Sequence, residues 1–108
     1  MTTVEALIAR FGVPALLKID VEGAELDVLA GLEHPVPLVS FEYLSRALDL
    51  ADACAARLAA LGPYRFNWSP GETFHLVSPA WLASRELVAA MRASPHAASS
   101  GDVYARLS

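Results

Sequence analysis

A chain of 108 residues can form one domain with a real core, and it has no apolar run near the roughly 18 residues needed to cross a bilayer. Its net charge is −4, and its eight Lys and Arg are scattered singly, which excludes the clustered positive charge that nucleic acid or an anionic lipid surface requires. A single cysteine, Cys54, excludes an intramolecular disulfide and a cysteine-rich zinc site.

Hydrophobic residues make up 55% of the chain, above the roughly 45–50% of ordinary soluble domains. Much of the excess is alanine, 20 residues in all, which builds helices and not greasy surface. The first residues, Met1-Thr2-Thr3-Val4-Glu5, lack the basic region of a secretory leader. The cytoplasm is the expected compartment.

Thr2-x-x-Glu5 is a capping-box pattern, so a helix is expected from there. Val4, Leu7, Ile8 and Phe11 give it an apolar stripe, and Gly12 and Pro14 stop it. A strand is expected at about residues 15–21, with Leu17, Ile19 and Val21 on one face. An acidic turn follows, containing Asp20, Glu22 and Gly23. A helix over about 24–33 comes next, with Leu26, Leu29 and Leu32 at helical spacing. His34-Pro35-Val36-Pro37 is a connector, because two prolines so close exclude helix.

Leu38 to Tyr43 alternates as a second strand. A helix between two strands is a crossover, so the second strand should run parallel to the first. Glu42 then shares a sheet edge with Asp20, about 5 Å away if the strands are neighbours. Ser45 is expected to cap a long helix over about 46–61. Leu44, Leu48, Ala51, Ala55 and Leu58 form its buried stripe, while Asp49, Asp52 and Arg57 face out.

Tyr64 to Ser69 and Thr73 to Val77 both read as strands, with Pro70-Gly71 as the turn of an antiparallel hairpin. Trp81-Leu82 is expected to open a helix that runs to about Ala93. Residues 94–101 read as a loop, and 103–107 as a weak terminal strand. The class is α/β, with parallel strands that end in an antiparallel hairpin.

Asp20, Glu22 and Glu42 are the strongest chemical candidates. Carboxylates that close can bind a divalent cation, or one can take a raised pKa and act as a base. Equally, Glu22 and Glu25 can simply suit the positive end of a helix. Gly23 allows a tight turn or the close approach of a ligand. Asn67-Trp68-Ser69 and Glu72 can line a substrate pocket, or serve a hairpin and the core. His75 is a base or ligand candidate, or a hydrogen-bonded histidine. Cys54, mid-helix among alanines, reads as a packed thiol.

The run Lys18-Ile19-Asp20-Val21-Glu22-Gly23-Ala24-Glu25, followed by Val28-Leu29 and Gly31-Leu32, resembles the FkbM family of S-adenosylmethionine-dependent methyltransferases. Its flanks fit as well: Thr2-Thr3 with Leu7-Ile8 before it, and Leu38 to Tyr43, Tyr64 to Ser69 and Gly101 to Arg106 after it. The likeness spans nearly the whole chain and corresponds to the C-terminal half of the family. The resemblance implies the second half of a class I, Rossmann-like methyltransferase sheet, so residues 1–108 read as a partial domain. It implies S-adenosylmethionine as cofactor, with Asp20 and Gly23 beside it. It implies Asp20, Glu22 and Glu42 near the transferred methyl group, where a base can take a hydroxyl proton. Asn67, Trp68 and His75 are the substrate-side candidates.

The family's Gly-rich cofactor loop has no counterpart, since the six glycines stand isolated. Two main readings follow. One is an O-directed methyltransferase for a small-molecule or sugar hydroxyl, in truncated form. The other is a non-catalytic remnant that forms a homodimer, or binds a partner that supplies the missing half, through an exposed strand edge. A carboxylate-using hydrolase resting on Asp20, Glu22 and Glu42 is a third.

Overall fold

The computed structural model describes residues 12, 15–19, 25–71, 75–94 and 99–108. The expected helix over residues 2–11 and the acidic turn at 20–24 lie outside them. The elements are β1 (Leu16–Ile19), α1 (Glu25–Ala30), β2 (Leu38–Leu44), a 3-10 turn (Ser45–Ala47), α2 (Leu48–Leu61), β3 (Tyr64–Pro70), α3 (Ser84–Ala93) and β4 (Ser100–Leu107). The four strands form one mixed sheet in the order β1-β2-β4-β3. No described helix is long and apolar enough to cross a membrane.

The crossover expectation holds. β1 and β2 pair in parallel, from Leu16 opposite Leu38 to Ile19 opposite Phe41. Alternation along the strands then sorts the side chains into two faces. One carries Ile19, Val39, Phe41, Phe66, Trp68, Val103 and Ala105, all buried. This face packs with Leu29 of α1, with Ala51, Cys54, Ala55 and Leu58 of α2, and with Leu87 and Met91 of α3 in one core. Phe41 and Phe66 are fully enclosed, each contributing roughly 1.5–3 kcal/mol by leaving water. The opposite face carries Lys18, Ser40, Glu42, Asp102, Tyr104 and Asn67, and is polar.

Five expectations are corrected. The sheet does end in an antiparallel pair, but its members are β3 and β4, separated in sequence by α3. Residues 75–77 form no strand. Gly71 is a turn residue at φ +56°, as expected, and its N–H donates to the carbonyl of Ser100 at 2.7 Å; the chain beyond returns along β3 through Val77 and Leu82 without forming the expected strand. Likewise, the terminal strand is not a weak edge. It is central, paired to β2 on one side and β3 on the other, with Val103 and Ala105 fully buried.

Ser45 does not cap the long helix. It opens a 3-10 turn, and Ala47, which has no side-chain acceptor, precedes α2. Leu82 does not open the third helix either. It exchanges two backbone hydrogen bonds of 2.8 Å with Phe66, extending the sheet by one bridge. The helix starts at Ser84, where the Glu86 carboxylate accepts the N–H of Ala83 at 2.9 Å.

Arg57 does not point into solvent. Its guanidinium crosses to the C-terminal end of α1 and donates to the carbonyls of Leu29, at 3.0 Å, and Leu32, at 2.6 Å. The connector after α1 is fastened by Tyr64, whose buried hydroxyl accepts the N–H of Val36 at 2.7 Å and donates to its carbonyl at 2.6 Å. Two long-range polar anchors therefore fix the crossover between β1 and β2.

Candidate active site at the carboxyl end of β2

In an open α/β sheet, ligands lie beyond the carboxyl ends of parallel strands. Here that edge is the end of β1 and β2. Glu42 stands there, one residue past the Ile19–Phe41 pairing. Asp20, which follows Ile19 in the chain, lies with Glu22 and Gly23 outside the described residues.

The antiparallel register sets Asp102 of β4 directly opposite Glu42, and Ser69 of β3 opposite Asp102. Glu42, Asp102 and Ser69 therefore form one row across three strands. The row below it is Lys18, Ser40, Tyr104 and Asn67. Asp102 was not singled out by the sequence, because its strand read as a peripheral one. The signal was its place in Gly101 to Arg106, which needed a partner strand to acquire meaning. The charge of Asp102 acts on both tyrosines nearby. Burial first, and then Asp102, push the Tyr43 and Tyr104 hydroxyls above their ordinary pKa, while Lys18 pulls Tyr104 part of the way back.

Beside the end of β2, a cleft opens between α1 and α2. Glu25 and Leu26 wall one side, Leu50, Ala51 and Cys54 the other, and Glu42 to Leu44 close it. Its volume is about 40 Å³, room for a few waters at most. Cys54 is 2% exposed at its side. Burial and the nearby Glu25 push its thiol up to about 11, so it is a packed, unreactive group at neutral pH.

The other expected site residues stand apart from this corner. Asn67 is 1% exposed, and its amide is engaged by backbone. Its Oδ1 accepts the N–H groups of Ser78 and Trp68, each at 3.0 Å, and its Nδ2 donates to the Ser78 carbonyl at 2.9 Å. One amide hydrogen remains for any other partner. Trp68 lies on the helix-covered face, opposite to Asn67, and borders an open groove with Val77, Pro79 and Ala90. His75 is exposed in the segment after β3, and Glu72 lies outside the described residues. Among the described residues, no group of three acidic, His or Cys side chains could hold a metal ion.

The described residues of this cleft do not by themselves fit S-adenosylmethionine. A cleft of about 40 Å³ cannot admit a nucleoside with a sulfonium side chain. The ionisable groups that line the cleft are Glu25, Glu42, Tyr43 and Cys54, among apolar side chains.

No curated protein and no solved structure matches the chain. The match to known families falls on the segment that carries the acidic turn, β1, α1 and β2, and ends just inside α2. It is shorter than the nearly whole-chain likeness read from the sequence. Residues 1–49 match the methyltransferase FkbM domain.

Proposed function

We propose that this chain carries the acceptor side of an FkbM-type methyltransferase site, directed at a hydroxyl of a small molecule or sugar. The observation that carries this reading is the coincidence of two things. The family match covers residues 1–49, and the parallel β1–β2 pair inside that match presents Glu42 at its carboxyl end.

In this reading Glu42 works together with Asp20 and Glu22. A carboxylate at the strand end accepts the hydroxyl proton of the acceptor, beside the cleft lined by Leu26, Leu44 and Leu50. Asp102 stands directly opposite Glu42 in the sheet and adds a second carboxylate to that row. Contacts to S-adenosylmethionine fall to Asp20 and Gly23. Asn67, Trp68 and His75 belong to a more distant part of the acceptor path. The rest of the cofactor cradle comes from a second chain seated against β1. Among the described residues β1 is an outer strand of the sheet, with Leu16 53% exposed, and a second copy of the chain can pair along it.

The same open strand supports a second reading, in which the chain is a non-catalytic module that acts by pairing through β1. One assay separates the two. The chain is incubated with S-adenosylmethionine and a panel of hydroxylated acceptors, and release of S-adenosylhomocysteine is followed. The methyl-transfer reading expects release, lost in Glu42→Gln and Asp20→Asn. Association without turnover for any acceptor favours the second reading.

A further inference from the structure

We infer that Arg57 is a positioning residue for the proposed site: by clasping the C-terminal end of α1, it seats that helix's first turn against α2 and shapes the cleft at the end of β2. This inference rests on the methyl-transfer reading for its functional meaning, and on geometry alone for its structural one.

α1 has only six residues, far below the length at which a helix holds itself in water. Its seat must come from tertiary contacts. One buried side chain, Leu29, provides the apolar part, with Leu26 and Val28 partly buried beside it. Arg57 provides the polar part. Its Nε donates to Leu29 O at 3.0 Å, and its Nη2 to Leu32 O at 2.6 Å, with Ala30 O further off at 3.4 Å. The last carbonyls of a helix lack partners within it and carry its negative end. A planar guanidinium answers several of them at once, which a single ammonium cannot. The helix carries no basic residue in its own last turn, so this cation is supplied by α2.

The two ends of α1 are about 9 Å apart. Glu25 and Leu26, at the end away from Arg57, wall the cleft against Ala51 and Cys54 of α2. Arg57 lies one helical turn from Cys54 on α2. Fixing one end of so short a rod sets the position of the other, and hence the width of the cleft.

Cys54 is a built-in reporter, because it is the only cysteine in the chain. The acidic groups that line the cleft with it are Glu25 from α1 and Glu42 from β2. If α1 leaves its seat, the thiol gains water and loses Glu25, and its pKa falls from about 11 toward the ordinary 9. Deleting a nearby cation acts in the opposite direction, since it removes an attraction for the thiolate. The sign of the change therefore separates positioning from plain electrostatics.

The test is the rate of Cys54 alkylation by iodoacetamide at pH 8 in wild type, Arg57→Met, Arg57→Lys and Val88→Ala. Val88 is buried in α3 and serves as a destabilised control away from α1. The inference expects a rise of about tenfold or more in Arg57→Met, a smaller one in Arg57→Lys and little in Val88→Ala. An unchanged rate in folded Arg57→Met, or an equal rise in Val88→Ala, overturns it. Should Arg57→Met not fold, Arg57→Lys decides: no rise there overturns the inference. S-adenosylmethionine binding is measured on the same samples. A wild type that binds none removes the methyl-transfer reading, while the alkylation rates still decide whether Arg57 seats α1.

Discussion

The side-chain amide of Asn67 pairs with the backbone of Ser78 as a strand residue would, accepting from its N–H at 3.0 Å and donating to its carbonyl at 2.9 Å. Next to it, the N–H of Val77 donates to the carbonyl of Trp68 at 3.0 Å. The segment after β3 is thus tied to the sheet without being a strand. Asn67→Ala leaves partly buried backbone groups of Ser78 unsatisfied and should cost about 2–4 kcal/mol. Urea unfolding measures it, and a loss below about 0.5 kcal/mol would contradict the pairing described here.

Tyr64 offers a cleaner deletion. Its hydroxyl bonds both the N–H and the carbonyl of Val36 while the ring stays buried. Tyr64→Phe keeps the ring and removes both bonds, so about 1–3 kcal/mol should be lost. The same urea experiment reports it. An unchanged midpoint would mean that water replaces the hydroxyl at no cost.

Gly101 shows why β4 can lie in the middle of the sheet. A Cβ at this position would collide with the carbonyl of Ser69 and sit 2.8 Å from the Tyr43 ring. Gly101→Ala should therefore push β4 away from β3 and cost about 1–3 kcal/mol. Thermal unfolding checks this, with no change in Tm as the contrary outcome.

The protein should lose stability on the alkaline side. Cys54, Tyr43, Tyr64 and Tyr104 all have folded-state pKa values raised above their ordinary ones, chiefly by burial. A group raised in the folded state binds its proton more tightly there than in the unfolded chain. Its contribution is fully present below the unfolded pKa and is lost as pH rises toward the folded one. For Cys54 the loss runs from about 9 to about 11, and the tyrosines add theirs above about 10. Urea midpoints at pH 7 to 11 should fall across this range, and Cys54→Ala should flatten the first part. A flat profile in wild type would contradict the burial of these groups.

What was legible in the sequence follows the range of the interactions. β1, α1, β2 and α2 were readable because their apolar positions repeat within a few residues, and the crossover rule then fixed the parallel pairing of Leu16–Ile19 with Leu38–Leu44. The place of β4 was not, because nothing local in Gly101 to Arg106 tells that β2 and β3 will both pair with it. The Pro70-Gly71 turn was legible, and Gly71 does turn there at φ +56°, but nothing local tells that the long antiparallel partner of β3 is β4. Arg57 looked like an outward charge by helical phase, yet its long side chain reaches back to the carbonyls of a neighbouring helix. Glu42 was reached by argument, whereas Asp102 emerged only once the strands were ordered.

The central claim is that this chain takes part in methyl transfer, and calorimetric titration with S-adenosylmethionine tests it most directly, with S-adenosylhomocysteine as the companion ligand. The account predicts a saturable heat approaching one cofactor per chain, weakened in Asp20→Asn. A folded sample that gives no heat with either ligand, at any chain concentration, would contradict it.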